Sequence, residues 1–268
     1  MSQSKITIVG AGRMGQAMIG GWLKSGLRGR IDVLAPRPRG QVQDWVDAGD
    51  VRINPPPAPA GVLFVAVKPQ VFASIIDNLK AWIGPDTLVV SVMAGVSIAR
   101  LQDKLGTQNV ARTMPNTPSL VGQGVTLICL PDTAAPDVEP RLRELLAPLG
   151  AVEGPFTEAM LPVATAISGC GPAYGFLLAE VMAAAGVAHG LDEATAMRLA
   201  RQTVIGSGAL MAGADDDAAT LRKNVTSPNG VTQAALEVLM QPDAMPSIFV
   251  EAIRAAVQRD EALSKETE

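Results

Sequence analysis

The amino-acid sequence predicts an α/β domain on a mostly parallel sheet, residues 1–157, followed by an all-α domain, residues 158–268. Three observations predict it. From Lys5 to about Phe156, short β-branched runs alternate with longer amphipathic segments, the pattern of strands that return parallel through a crossover helix. Val62–Val67 is apolar without interruption, as in a strand covered on both faces. Beyond Phe156 the segments lengthen, become rich in Ala, Gly and Leu, and lose any strand pattern.

In chain order, Ile6–Val9 reads as the first strand and residues 14–25 as the helix behind it. Ile31–Leu34 is the second strand, and Pro55–Ala60 a surface loop. A helix over 70–82 follows Val62–Val67, and a short helix opened by Ser97 follows Thr87–Val92. Val110–Thr113 begins another strand, and 125–130 and 151–155 fit two more on either side of a helix over 138–149. In the second half, 161–188, 192–212, 230–240 and 246–265 read as helices. Asp192 suits the start of the second of these, because a carboxylate there accepts from the free amides of a first turn.

Composition bounds the function. With 268 residues, 48% apolar and 18% charged, and a mean hydropathy of +0.24, the chain can build a core, and disorder is not expected. Aromatics are 3%, so Ala, Val, Leu, Ile and 11 Met fill the interior. The net charge of −4 and the absence of a basic stripe speak against a nucleic-acid partner. Met1–Lys5 lacks the layout of a signal peptide. Gly, Pro or charge interrupts each apolar stretch before the roughly 18 residues of a membrane span. A cytoplasmic protein without a membrane partner is therefore expected. Cys129 and Cys170 lie far apart in sequence and read as reduced thiols.

Gly10-Ala11-Gly12-Arg13-Met14-Gly15 follows the first strand and opens the first helix. At this spacing the first glycine permits the tight turn and the second lets backbone approach a pyrophosphate. The third allows close helix–strand contact, and the helix start supplies amides and a positive dipole end. A glycine-rich turn alone is a weak signal; a strand–turn–helix unit around it is the context of a dinucleotide site. The second strand ends in Leu34-Ala35-Pro36-Arg37-Pro38-Arg39, with no carboxylate for a ribose 2′-hydroxyl. Arg37 and Arg39 either hold a 2′-phosphate, favouring NADPH with NADH possible, or merely solubilise a loop.

Further motifs end strands, where ligands of open α/β sheets lie. Val67-Lys68-Pro69 puts a lysine on that rim, unless it is only a solvated residue at a helix start. Ala94-Gly95 would admit a flat ring. Met114–Pro118 reads as a rigid turn whose Asn116 bonds either backbone or ligand. In the helical half, Ser168-Gly169-Cys170-Gly171-Pro172-Ala173-Tyr174 cannot lie in an ordinary helix interior. It either opens a helix at Pro172 or permits a close contact, with Tyr174 a packing or hydrogen-bonding group. His189, the single histidine, reads as a helix C-terminal residue. Asn224-Val225-Thr226-Ser227-Pro228-Asn229-Gly230-Val231-Thr232 sets turn residues and amides before a helix. Such a bend is either an anion site for a carboxylate or a capped helix start.

The blocks GAGRMG, AVKPQ, MAG, RTMPNTP, SGCGPAY and NVTSPNGVTQAAL, in this order, resemble pyrroline-5-carboxylate reductases across nearly the whole chain. The resemblance implies a Rossmann-type parallel-sheet domain followed by a helical dimerisation domain, with the active site completed by a partner subunit. It implies a homo-oligomer that reduces 1-pyrroline-5-carboxylate to L-proline with NAD(P)H. It further implies that Gly10, Ala11, Gly12, Arg13, Met14, Gly15, Asn54, Val67, Lys68, Ala94, Gly95 and Asn224 contact the cofactor. Gly230, Val231 and Thr232 would bind the imino acid carboxylate, and Thr232 would pair with the ring nitrogen as the catalytic group. The chain departs from the family pattern at Asn229, where glycine is usual, at Val231, where threonine is common, at Cys170 for serine, and at Ala35-Pro36.

The chemistry asked of such a site is modest. A protonated cyclic imine is already electrophilic, so positioning and desolvation carry the reaction and no obligatory side-chain base is expected. A β-hydroxyacid dehydrogenase on the same plan would need a lysine after the domain junction, and 161–212 contains none. The remaining rivals are an NADPH-binding regulatory or scaffold protein without turnover, and a reductase of a related cyclic imine.

Overall fold

The structure, a computed structural model, describes residues 5–267; the polar stretch read at 1–4 lies outside the described residues. Its sheet is built from strands whose alternating apolar side chains feed two cores. β1 (Ile6–Val9) is buried at every position, as are β4 (Val62–Val65) and β5 (Leu88–Ser91). On one face Ile8, Phe64 and Val90 pack with Met18, Trp22 and Leu146. On the other, Val9, Leu63, Val65 and Val89 pack with Phe72, Leu79 and Leu101. The helices α1 (Arg13–Lys24), α2 (Gln41–Asp47) and α5 (Val138–Leu146) cover the first face, and α3 (Pro69–Lys80) and α4 (Ile98–Leu105) the second. Trp22 stacks at a tilt on Phe64 with ring centroids 5.0 Å apart, and its indole N–H donates to the Leu145 carbonyl at 2.7 Å. That bond removes the cost of burying the ring's polar handle.

The remaining strands are β2 (Ile31–Leu34), β3 (Arg52–Ile53), β6 (Val110–Pro115), β7 (Gly124–Cys129) and β8 (Gly150–Phe156), in the order β3-β2-β1-β4-β5-β6-β7-β8. All neighbours are parallel except β6 and β7, which pair antiparallel. The reversal follows from the connection: a 3-10 turn over Thr117–Val121 is too short for the crossover that parallel pairing requires. The chain runs from β1 out to β3, then returns to place β4 on the other side of β1. That reversal of direction opens a crevice at the carboxyl ends of β1 and β4.

Several boundaries differ from the sequence reading. The apolar run 62–67 is strand only to Val65, since Ala66 and Val67 turn against Gly10. The helix over 138–149 ends at Leu146 and tightens into a 3-10 turn over Ala147–Leu149, where Pro148 cannot continue the ladder. The short elements α2, β3 and α9 (Ala218–Asn224) were not foreseen. The long segment 161–188 is two helices, α6 (Leu161–Ser168) and α7 (Gly171–Ala188), parted at Gly169-Cys170 with Pro172 in the first turn of α7. The expectation that no apolar stretch reaches span length is corrected. The run Leu161–Ala188 has a mean hydropathy of 1.4 over its span-length window, of which 6% is buried. Gly and Pro interrupt helix geometry but lower hydropathy far less than charges do, and Glu180 is the single charge in the run.

By packing, the chain divides into two compact units: residues up to Gly169 together with those from Ala256 on, and Cys170–Ala255. The first keeps α6 because Leu161 and Ala164 join the core of the sheet's second face. The second consists of α7, α8 (Glu193–Ala212), α9, α10 (Val231–Leu239) and the first part of α11 (Met245–Thr267). Its buried core is only Ala183, Ala196 and Ala200, where α7 meets α8. Phe176, Leu177, Val181, Ile205 and Leu210 are each more than half exposed, and exposed apolar groups of this kind mark interaction surfaces.

Candidate functional site

Two glycines of the first loop are fixed by sterics. Gly10 adopts φ +98°, and a Cβ there would stand 2.4 Å from the Ala66 carbonyl oxygen. A Cβ on Gly15 would stand 2.2 Å from the Gly10 carbonyl oxygen. The loop after β1 therefore lies against both α1 and the loop after β4. Gly12 differs. It is the N-cap of α1, and a Cβ there would meet nothing within 4 Å. The helix start has no side-chain cap and no acidic residue in its first turn. Exposed amides, a positive dipole end and open space beside Gly12 fit a pyrophosphate.

Around this loop the expected contacts divide. Arg13 is exposed beside the helix start, whereas Met14 and Ala11 pack against the first core, leaving chiefly backbone to a ligand. Lys68 is exposed at the N-cap of α3, and Val67 packs on the second core. Asn54, at φ +42°, uses its side-chain amide on the backbone of Ala35: Nδ2 donates to the carbonyl at 2.8 Å and Oδ1 accepts from the N–H at 3.0 Å. It thus shapes the bend carrying Arg37 and Arg39, which are exposed and have no hydrogen-bond or ion-pair partner among the described residues. The only carboxylate on β2, Asp32, is buried between Lys5 and Arg52 at 2.6 and 2.7 Å. It is spent within the sheet and unavailable to a ribose.

On the far side of β4, the loop after β5 places Ala94 half-buried and Gly95 buried at φ +69°. A polar cluster that sequence reasoning missed lies nearby. Arg112 on β6 donates to Glu158 Oε1 at 2.6 Å, and the same oxygen accepts from Ile98 N at 3.0 Å, closing the start of α4. Cys129, register partner of Arg112, is pushed up to about 11 by burial and the charge of Glu158, with Arg112 opposing. Such a thiol is inert at neutral pH. Asn116 resolves toward backbone: Nδ2 donates to Ser168 O at 2.8 Å and Oδ1 accepts from Val125 N at 2.9 Å. The missed contacts link residues tens of positions apart, and a lone sequence carries no local signal for them.

In the second unit, the bend between α9 and α10 is held by its own side chains. Asn224 ends α9, exposed. The Thr226 hydroxyl donates to Arg222 O at 2.6 Å, and Asn229, at φ +55°, donates its N–H to Gln233 Oε1 at 2.8 Å. Gly230 N–H is donated to Ser227 O at 3.0 Å, and a Cβ on Gly230 would stand 3.0 Å from that same oxygen. Gly230 therefore supplies conformation, while the amides left at the start of α10 belong to Val231, Thr232 and Gln233. Gly230 caps the helix without a side chain, and the Thr232 hydroxyl has no hydrogen-bond partner among the described residues. Tyr174 meets Phe249 edge-on at 5.9 Å, and its hydroxyl is raised by burial and by the neighbouring Cys170. His189 caps the end of α7, as read.

Comparison with known proteins also finds two parts in the chain, with other bounds. Residues 158–263 match the family model described as pyrroline-5-carboxylate reductase dimerisation. Residues 5–95 match the one described as NADP oxidoreductase, coenzyme F420-dependent. The chain is 34% identical over 267 residues to a pyrroline-5-carboxylate reductase of Synechocystis sp., covering 97% of this chain and 98% of that protein. A pyrroline-5-carboxylate reductase structure from Coxiella burnetii superposes with a TM-score of 0.88 at 30% identity, over 98% of this chain and 99% of that one. The pyrroline carboxylate reductase of Plasmodium falciparum, solved with NADP bound, superposes with a TM-score of 0.79 at 26% identity, over 98% and 99% of the two chains. The exposed apolar run of α7 falls inside the dimerisation match.

Proposed function

The chain belongs to the pyrroline-5-carboxylate reductase family, and from that membership we propose that it reduces the C=N bond of 1-pyrroline-5-carboxylate to give L-proline. It is an NAD(P)H-dependent oxidoreductase of proline biosynthesis. What carries the reading at the level of geometry is the bend ahead of α10. An uncapped helix start there offers the Val231 and Thr232 amides with an unpartnered threonine hydroxyl beside them, in a chain whose sheet domain carries a dinucleotide loop. In this reading residues 1–157 bind the dinucleotide, and residues 158–268 form the dimerisation and substrate domain.

The bound cofactor supplies a hydride. The residues bind and orient. The start of α1, with Gly12, receives the pyrophosphate, and Arg13 and Lys68 lend positive charge to the rim. Arg37, free at the end of β2, receives a 2′-phosphate, which favours NADPH over NADH. Asn54 holds that bend in shape, the small Ala94 leaves room for a flat ring with the Gly95 backbone beside it, and Asn224 adds a polar contact. The Val231 and Thr232 amides take the substrate carboxylate. The Thr232 oxygen accepts from the protonated ring nitrogen, fixing the C=N plane. Hydride addition to the iminium carbon then leaves a neutral amine without further proton traffic, which suits a site lacking histidine. Oligomerisation through the helical domain and a cytoplasmic location complete the reading.

Initial rates of reduced-nicotinamide oxidation with 1-pyrroline-5-carboxylate, using NADPH and NADH in turn, test it. Turnover, faster with NADPH at low concentration, is expected. NADPH binding without turnover would instead favour a regulatory protein, and faster turnover of another cyclic imine would move the substrate.

A further inference from the structure

The last turns of α11 pack with the sheet unit. Ala256, Val257, Asp260, Leu263 and Ser264 are sheltered at helical spacing, while Gln258, Arg259, Glu261 and Lys265 are exposed. The sheltered stripe ends on the loop after β5. A Cβ on Gly95 would stand 3.4 Å from both the Leu263 carbonyl carbon and the Ser264 nitrogen. One turn earlier, burial raises the Asp260 carboxyl above its ordinary value, with Arg112 opposing and Glu261 adding. Arg112 also holds Glu158, which closes the start of α4. The chain's last helix, the start of α4 and the 93–97 loop thus meet at one corner.

Met93 and Val96 anchor the two ends of that loop in the second core, and the turn between them passes through a left-handed Gly95, a conformation that glycine adopts at no steric cost. The backbone of α11 lies against that turn.

We propose that the peptide joining Leu263 to Ser264 is a positioning element for the dinucleotide, holding the turn at Ala94 and Gly95 in the shape that presents it to the nicotinamide end. The inference rests on the reading that this loop faces the cofactor. Without its backing the loop samples other shapes, and apparent affinity falls by the fraction of chains still competent.

The test compares the unmodified protein with a chain ending at Gln258 and with one ending at Lys265, which keeps the Leu263–Ser264 peptide. NADPH binding is measured by fluorescence titration, and KM for 1-pyrroline-5-carboxylate at saturating NADPH. If about a tenth to a fifth of chains keep the competent loop, the NADPH Kd of the chain ending at Gln258 rises about five- to tenfold. The chain ending at Lys265 stays near the unmodified protein, and because saturating NADPH repopulates the competent loop, KM for the imino acid changes less than about twofold in both. NADPH binding as tight in the chain ending at Gln258 as in the full one would overturn the inference alone. So would a parallel rise of both constants with a lowered melting temperature in that chain. Failure of the unmodified protein to bind NADPH would overturn the functional reading and this inference together.

Discussion

Gly15 is the residue where a single added carbon does most harm. Its Cβ would stand 2.2 Å from the Gly10 carbonyl oxygen, a backbone atom that cannot rotate away, so α1 must retreat from β1. Gly15→Ala is expected to cost about 1–3 kcal/mol as overpacking, outweighing the roughly 1 kcal/mol that alanine gains over glycine in a helix. NADPH affinity should fall with it. Thermal melts and NADPH titration check both, and unchanged affinity would remove the loop from the site. Thr232 is the opposite case, a side chain whose loss leaves the fold intact because its hydroxyl bonds nothing in the described chain. Thr232→Ala removes one hydrogen bond to a charged group, about 1.5–3 kcal/mol, and kcat should drop roughly 10- to 100-fold. Steady-state kinetics at saturating NADPH measure it; unchanged kinetics would take Thr232 out of the mechanism.

Among the elements, the caps of unit two carry their own pH dependence. Asp192 accepts from Thr195 N at 2.9 Å and Asp217 from Thr220 N at 2.7 Å, and these backbone amide bonds hold both carboxyls below the ordinary value. A lowered folded-state value means the contribution is present above the unfolded value and is lost as pH falls through the folded one. Asp192→Ala is expected to lower the melting temperature by a few degrees at neutral pH, with the difference from the unmodified protein shrinking as the pH drops into the acid range. A difference that stays constant across that range would show that the cap's charge is irrelevant. The cap at Asp192 was legible because a cap is a local device. α2 and β3 were not: β3 is two residues long, below any periodicity, and exists because β2 offers it a parallel edge.

At the scale of the whole molecule, the helical unit needs another surface. Its buried core is three alanines, while Tyr174, Leu177, Leu178, Val181, Ile248 and Phe249 line an apolar groove of about 430 Å³. The match to a dimerisation domain over 158–263 supplies what covers such a face. A charge placed there, as in Val181→Glu, has no partner to offset its desolvation when two copies meet. Sedimentation is expected to show an oligomer for the unmodified protein and a monomer for V181E, with the sheet unit still binding NADPH. An unmodified chain that sediments as a monomer would refute the assignment of this face.

The sequence by itself determined the class of the first domain, the place of the glycine-rich loop between β1 and α1, and the bend before α10. Each is written in neighbouring residues: strand periodicity, glycines at fixed spacing, turn residues ahead of an amphipathic run. The tertiary structure alone decided that β7 reverses, that Asn116 serves backbone, that Gly230 spends its amide inside its own turn, and that the last helix lies on Gly95. Those outcomes depend on which distant segments meet, and a hydrogen bond or a close contact between Gly95 and Leu263 leaves no pattern in either stretch of chain.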